Sequence, residues 1–164
     1  MSLFKFVRDA GSKLGEKIHN VTHGGVDATA PVEVSQERID ELRTKSIMDN
    51  IAESGVVVEN LNVDVAGEKV TLNGRVNSQT CSEKLTLVAG NQHGIGSVDC
   101  QLDVANPEPG ATFYTVKSGD TLGKIAQELL GSASKYTAIF EANKPLLSDP
   151  DKIYVGQNLR VPNL

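Results

Sequence analysis

A short segment rich in proline and glycine divides this chain and limits the size of any single core. The segment Asn106-Pro107-Glu108-Pro109-Gly110 favours neither a helix nor a strand. In a chain of 164 residues, the stretches on its two sides are each long enough for one small domain with a modest core. We therefore predict a linker over residues 105–112, between one domain at 35–104 and another at 113–164.

The first of these domains begins with a helical pattern. Ser35 is a suitable N-cap for a helix that runs to about Glu53, and Gly55 would end it. Helical spacing predicts that its buried side consists of Ile39, Leu42, Ile47, Met48 and Ile51.

The rest of this domain alternates between strand and helix patterns. Apolar residues at every second position predict a hairpin around Ala66-Gly67-Glu68. Ser78 can cap a second helix that fails near Gly90, and alternation returns from Val98 to Val104 as a third strand. Cys81 and Cys100 would point into the core as reduced thiols. The predicted order is helix, hairpin, helix, strand.

The segment after the linker has the order strand, helix, helix, strand, so the fold class of the whole chain is α+β. Its helices are expected from Thr121 to Gly131 and from Tyr136 to a point before Pro145. At the other end, residues 3–18 have the spacing of a short amphipathic helix, and 21–34 have the composition of a linker. We expect that helix, within an N-terminal segment 1–20, to dock on the next domain; a membrane-surface helix is the alternative.

The last segment resembles a LysM module over residues 113–162. The resemblance rests on Tyr114-Thr115-Val116-Lys117-Ser118-Gly119-Asp120-Thr121-Leu122 and on Ile153-Tyr154-Val155-Gly156-Gln157-Asn158-Leu159. It implies binding of N-acetylglucosamine chains, as in peptidoglycan, in a groove between two loops. The matching positions are Gly119, Asp120, Thr121, Leu122, Asn143, Leu146 and Ile153. The glycine, aspartate and threonine also suit a turn and a helix cap, so a structural role stays open.

The segment 35–104 resembles a BON domain, through Val70-Thr71-Leu72-Asn73-Gly74-Arg75-Val76 and Gly94-Ile95-Gly96-Ser97-Val98. The resemblance implies a binding module. A BON domain before a LysM module, preceded by Met1-Ser2-Leu3-Phe4-Lys5-Phe6-Val7, resembles a family of cytoplasmic bacterial potassium-binding proteins.

The connection Gly90-Asn91-Gln92-His93-Gly94-Ile95-Gly96 is suited to binding such an ion. K⁺ fits a cage of main-chain carbonyls, and this loop combines three glycines with the C-terminal end of a helix. A plain helix-to-strand connection is the alternative. The family resemblance implies a K⁺ site shared with the N-terminal segment, at the main-chain oxygens of Val7, Ala10, Gly90, Gln92, Gly94 and Ile95. The sequence departs from the family at Gln92 and His93, where an apolar and a small residue are expected.

Charge and missing motifs exclude other functions. A net charge of −5 argues against nucleic acid as the partner. His19 and His23 lack a third zinc ligand, and no nucleophile or phosphate-binding motif occurs, so we expect no enzyme. Without a signal peptide or a transmembrane run we expect a monomeric cytoplasmic protein that senses K⁺ and does not bind membranes. The alternatives are a peptidoglycan-binding protein acting through LysM and an adaptor at a membrane surface.

Overall fold

The computed structural model describes residues 2–6 and 35–164 and confirms the α+β class. The first part holds β1 (Ser2–Lys5), α1 (Gln36–Glu53), β2 (Val58–Ala66), β3 (Lys69–Ser78), α2 (Gln79–Gly90) and β4 (Ser97–Asn106). The second holds β5 (Thr112–Thr115), α3 (Leu122–Leu130), a 3₁₀ turn (Ala133–Lys135), α4 (Tyr136–Ala142) and β6 (Asn158–Val161). The order helix, hairpin, helix, strand predicted for 35–104 and the order strand, helix, helix, strand predicted for 113–164 are both confirmed.

The first part is a four-stranded sheet in the order β1-β4-β3-β2. Strand β2 is antiparallel to β3, β3 is parallel to β4, and β1 is antiparallel to β4. Apolar residues alternate along the strands, so one face of the sheet is buried. That face packs against α1 and α2 in a core that comprises Ile47, Ile51, Val63, Val65, Val70, Leu72, Val76, Leu85, Val88, Ala89, Ile95 and Val98.

Hydroxyl caps fix where the helices begin. The hydroxyl of Ser35 accepts a hydrogen bond from the Arg38 N–H at 3.3 Å, and that of Ser78 accepts one from the Cys81 N–H at 3.3 Å. Both bonds satisfy donors that the first turn of a helix leaves unpaired. Gly55 follows α1 with φ +70°, a left-handed conformation that a side chain would strain.

The predicted N-terminal helix is wrong at its start, because residues 2–5 form a strand. Ser2 to Lys5 pair with Cys100 to Ser97 along the edge of β4. Phe4 and Phe6 are half-buried while Leu3 and Lys5 are exposed, which is the two-residue alternation of a strand. The backbone groups on the edge of β4 provide partners that helical spacing alone does not reveal. Residues 7–34, with the rest of that helix and the linker, lie outside the described residues.

The burial predicted for α1 is wrong at two positions. Leu42 and Met48 are 47% and 45% exposed, and the buried residues of this helix are Ile47 and Ile51. Cys81 packs against the core as predicted, although both free cysteines are only half-buried. The Cys81 sulfur accepts a bond from the Ser78 hydroxyl at 3.3 Å, and the Cys100 sulfur lies 3.3 Å from the Ser82 hydroxyl.

The second part is built on an antiparallel pair, β5 with β6, covered by α3 and α4. Thr121 caps α3 by accepting from the Lys124 N–H at 3.2 Å, and Gly131 ends it in the left-handed conformation at φ +74°. Its separate core consists of Val116, Leu122, Ile125, Ala126, Ile139, Leu147, Leu159 and Val161. Within the described ranges, no helix has both the length and the apolar character needed to cross a bilayer.

Candidate functional site

The loop between α2 and β4 is irregular because its sequence ends a helix without starting a strand. The Asn91 N–H still bonds to the Leu87 carbonyl at 3.0 Å, as the last bond of the helix. Gly94 then adopts φ +78°, which turns the chain toward β4. The N–H groups of Gly96 and Ser97 both donate to the Glu68 carbonyl, at 2.8 and 3.1 Å. The end of the loop is therefore fixed to the turn of the hairpin.

Most carbonyl oxygens of this loop have no hydrogen-bond donor in the described part of the chain. The Gln92 oxygen accepts from the Ile95 N–H at 3.2 Å, and the Gly96 oxygen accepts from the Phe6 N–H at 2.9 Å. The oxygens of Gly90, Gly94 and Ile95 accept no bond from any described residue. Ile95 is fully buried and Gly90 is buried, so the backbone here lies partly out of water. Such oxygens are suited to a weakly hydrated cation.

The N-terminal segment lies directly against this loop. Phe6 extends the pairing of β1 by its bond to Gly96, and its ring covers Gly90. A Cβ on Gly90 would stand 2.1 to 2.3 Å from three atoms of that ring. Only glycine allows this approach. Phe6 is the last described residue before Val7, and it contacts the loop at Gly90 and Gly96.

One positive charge borders the loop. The Arg43 guanidinium packs on Gly94, where a Cβ would come within 2.3 Å of its Nη2 atom. The same guanidinium donates to the Gly67 carbonyl at 2.8 Å and lies 3.9 Å from an Asp40 oxygen. No group of three or more His, Cys, Asp or Glu side chains in the described ranges could hold a metal. A cation at this loop would therefore rely on main-chain oxygens.

A buried pair of asparagines joins the loop to the second domain. The Asn91 amide donates to the Asn158 carbonyl at 2.9 Å and accepts from the Asn158 N–H at 3.0 Å. The Asn91 side chain thus bonds both main-chain groups of Asn158, as a residue of a paired strand would. The Asn158 side chain donates in turn to the Lys5 carbonyl at 3.1 Å and accepts from the Thr115 hydroxyl. The loop, β1 and the second domain meet at these two residues.

A buried ion pair reinforces the same interface. Glu83 on α2 and Arg160 on β6 lie 2.6 Å apart, with side chains only 3% and 13% exposed. The other Glu83 oxygen accepts from the Ala111 N–H at 2.9 Å, and Arg160 also donates to the Thr80 hydroxyl. The Phe4 and Phe113 rings add a tilted contact, with centroids 5.0 Å apart. Every polar group in this contact is therefore paired.

The predicted glycan residues differ in their availability. Gly119 and Thr121 are exposed on one turn, while Leu122 is buried in the core. The Asn143 amide is 2% exposed and makes three bonds to the main chain, at Ile139 and Arg160. Leu146 lies in a crevice against α2, and Ile153 packs on the core.

A short hydrogen-bond network orders that turn. Asp120 accepts from the Lys117 N–H at 2.8 Å and from the Tyr114 hydroxyl at 2.9 Å. The bond from the Lys117 main chain, followed by that from Tyr114, lowers the pKa of Asp120. The bond to Asp120 raises the pKa of Tyr114 in return. Asp120 therefore has a structural part in the turn.

The structure brings together four of the six predicted ion ligands on one loop, namely Gly90, Gln92, Gly94 and Ile95. Val7 and Ala10 lie outside the described residues. Sequence reasoning missed Phe6, Asn91 and Asn158. The glycine at position 90 was a signal for close packing, but its partner was not identifiable. The asparagines are 67 positions apart, and no local pattern links them.

Comparison with known families agrees with this architecture. The BON domain family matches residues 39–106, and the LysM domain family matches residues 114–162. An uncharacterized protein of Deinococcus radiodurans is 33% identical over 130 residues, which cover 72% of this chain and 51% of that protein. The resuscitation-promoting factor Rpf of Micrococcus luteus is 46% identical over 52 residues, 32% of this chain and 23% of that protein.

A further relative matches from end to end. The potassium binding protein Kbp of Escherichia coli O6:H1 is 40% identical over 163 residues, which cover 99% of both chains. The match includes the N-terminal segment as well as both domains. The chain therefore belongs to the Kbp family, in which a BON domain precedes a LysM domain.

Proposed function

We propose that this protein binds K⁺ through main-chain oxygens of the loop at residues 90–96, completed by Val7 and Ala10 from the N-terminal segment. The observation that carries the proposal is the contact of Phe6 with Gly90, beside carbonyls that accept no hydrogen bond from a described residue. The Kbp relative is named for potassium binding, and its similarity extends through both segments. Gly90, Gln92, Gly94 and Ile95 are the proposed ligands from the loop.

The chemistry follows from the ligand type. Carbonyl dipoles replace the water shell of K⁺ without adding formal charge, and the number and spacing of oxygens select against a smaller ion. The buried loop limits competition from water. All six proposed ligands belong to one loop and one N-terminal segment, so one ion per protein is the expected stoichiometry. BON and LysM domains are binding modules, and we propose binding and sensing in place of catalysis.

Ion binding would order the molecule beyond the loop. K⁺ bridging the loop and the N-terminal segment would stabilise β1 against β4, because Phe6 bonds to Gly96. Lys5 and Asn91 both bond to Asn158, so the LysM domain contacts both β1 and the loop. A ligand that binds only this docked form shifts the population toward it. We propose that this docked form is the sensor's signal and that the protein acts as a cytoplasmic monomer.

Carbonyl chemical shifts locate the site directly. In ¹³C,¹⁵N-labelled protein, addition of KCl should move the carbonyl carbons of the six proposed ligands, with smaller changes in NaCl at equal ionic strength. Carbonyls of α3, which makes no contact with the loop among the described residues, are internal references. Shifts confined to carboxylate side chains, or equal shifts with both salts, would contradict the main-chain cage.

Glycan binding through LysM is the second candidate. It is favoured by the family match at 114–162 and by the exposed turn of Gly119 and Thr121. Chitin oligosaccharides added to labelled protein would move these two amides and those near Leu146 and Ile153. Recovery of the protein from the cell envelope on fractionation would favour this candidate, and recovery from the cytosol would favour the ion sensor.

A further inference from the structure

A groove runs between helix α1 and the edge strand β2, apart from the loop at residues 90–96. Glu37, Glu41, Lys45 and Met48 line it from the helix, and Val63 and Asp64 line it from the strand. Asp64 is exposed, whereas Val63 and Val65 are 7% and 8% exposed and form the base of the groove. Nothing in the proposed ion site contributes to this surface.

The strand side of the groove is an open sheet edge. In the part of the chain that the structure describes, β2 pairs with β3 on one side and with no strand on the other. A bulge between Glu59 and Asn62 interrupts its first half. From Asn62 to Ala66 the register with Asn73 to Lys69 is continuous. This second half thus offers an unbroken row of backbone donors and acceptors.

The groove has an excess of negative charge that the protein does not neutralise. The carboxylates of Glu37, Asp49 and Asp64 have no hydrogen-bond or ion-pair partner among residues 2–6 and 35–164. Lys45 is the one basic residue on its lining in those ranges. Asp40 differs, because its oxygens accept bonds from the Gly67 N–H and the Gln36 amide.

The dimensions and the apolar base suit an extended chain. The stretch of α1 from Glu37 to Met48 rises about 17 Å, and five residues of a strand span about the same distance. Met48 is 45% exposed on the groove and offers an apolar contact to alternate side chains of such a strand. The carboxylates occur along the length of the groove and do not converge as metal ligands would.

We propose that this groove binds an extended segment of another protein that is rich in lysine or arginine, by addition of a strand to β2. Backbone bonds to the edge would supply affinity, and the acidic rim would select alternating basic side chains. A second copy of this chain is disfavoured because it would bring the same carboxylates face to face. The proposal is independent of potassium binding.

The test uses the full-length ¹⁵N-labelled protein and a defined peptide, acetyl-Lys-Val-Lys-Val-Lys-Val-Lys-amide. We expect the largest amide shifts at residues 62–66, with smaller ones along α1. The double variant Glu37→Lys/Asp64→Lys should weaken binding at least tenfold, and its spectrum away from the groove reports whether it is folded. Glu128→Lys, an exposed carboxylate on α3, is the matched control and should leave affinity unchanged.

A second peptide separates strand addition from simple charge attraction. The same sequence with N-methyl groups on alternate residues keeps its charge but cannot form the edge bonds, and it should lose most of its affinity. If it bound as well as the parent peptide, or if the parent moved amides across the acidic surface without a maximum at 62–66, the proposal would be overturned. These comparisons use the unaltered protein and do not depend on the variant folding.

Discussion

At position 90 the lack of a side chain decides whether the N-terminal segment can lie on the loop at residues 90–96. The Phe6 ring occupies the space that a Cβ would need. The adjacent carbonyls can therefore be approached from the N-terminal side. Gly94 has a different role. Its positive φ turns the loop, and the Arg43 guanidinium packs where a side chain at this position would lie.

The change Gly90→Ala should undock the N-terminal segment. The new methyl group overlaps the Phe6 ring, so the Phe6 amide would lose its bond to Gly96. We expect hydrogen exchange of the Phe6 amide to accelerate more than tenfold and the Kd for K⁺ to rise at least tenfold. Exchange measured by NMR and calorimetric titration check the two effects.

A matched glycine controls for the methyl group itself. Gly123 lies in α3, where the nearest atom to an added Cβ is 3.8 Å away. Gly123→Ala should keep K⁺ affinity and slightly raise stability, as alanine does in a helix. Unchanged K⁺ affinity in Gly90→Ala would show that docking of the N-terminal segment is not needed for binding.

Among the elements, α2 carries the most connections. Its first half reaches the LysM domain through Glu83, and its C-terminal end leads into the loop through Asn91. One rigid helix thus links the interface and the proposed ion site. Strand β6 is its counterpart, with Asn158 and Arg160 facing it.

Neutralising Glu83 should destabilise the domain interface strongly. Glu83→Gln leaves the Arg160 charge nearly buried without a counter-ion, which costs about 3 kcal/mol. Urea unfolding followed by far-UV circular dichroism measures this loss. Arg75→Gln is the control, because the Arg75–Asp103 pair is 3.6 Å apart and exposed, and it should cost less than about 0.5 kcal/mol. Similar losses in both variants would contradict the large contribution to the free energy of unfolding that is expected from the buried Glu83–Arg160 pair.

The turn before α3 should contribute stability that depends on pH. The folded pKa of Asp120 lies below its usual value of 3.8, so its contribution is present above that value and is lost as the pH falls through the folded pKa. The pKa of Tyr114 is raised above 10.0, so its contribution is present below that value and declines once the pH rises through the folded pKa.

Asp120→Asn tests this assignment. The variant should have a lower Tm than the wild type at pH 7. The difference should shrink as the pH falls below 3.8 and vanish below the folded pKa of Asp120, where both side chains are neutral. Asp151→Asn, at an exposed site, should follow the wild type throughout. A constant difference between Asp120→Asn and the wild type from pH 7 to pH 2 would rule out ionised Asp120 as the source.

Features set by residues close together in the sequence could be predicted, whereas contacts between distant residues could not. The helices and the hairpin were predicted because caps such as Ser35 and Ser78 and apolar spacing are local. Strand β1 was not, since Ser2 to Lys5 form it only beside β4. Met48 was assigned to the core because spacing alone cannot show that α1 borders an open groove. The loop was found from its glycines, but the Asn91–Asn158 contact required the tertiary structure.

For the whole molecule, β1, the BON domain and the LysM domain form one unit around Asn158. Its amide contacts the Lys5 carbonyl, and its main chain contacts Asn91. Because the proposed ion site joins the loop to the N-terminal segment that begins with β1, a change in the LysM domain should alter K⁺ affinity. Such an effect on K⁺ affinity would be absent if the two domains were joined only by a flexible linker.

Asn158→Ala should raise the Kd for K⁺ severalfold, although Asn158 is no proposed ligand. Loss of its bond to Lys5 lowers the population of the docked form, and apparent affinity falls in proportion. Asn163→Ala is the matched control, because among the described residues that exposed amide bonds only to the Gly110 carbonyl, and the change should leave the Kd unchanged. Calorimetric titration measures both. An unchanged Kd in Asn158→Ala would mean that the LysM domain has no part in ion binding.

The most direct test of the central claim is thermal unfolding of the unaltered protein during titration with KCl, with NaCl and choline chloride at matched ionic strength. A ligand that binds only the folded state adds about 2.7 kcal/mol at a hundredfold excess over Kd, which raises Tm by several degrees in a protein of this size. The account predicts this rise with K⁺ and a much smaller one with Na⁺ or choline. Equal rises with all three salts would reflect screening of an acidic surface and would contradict a potassium site.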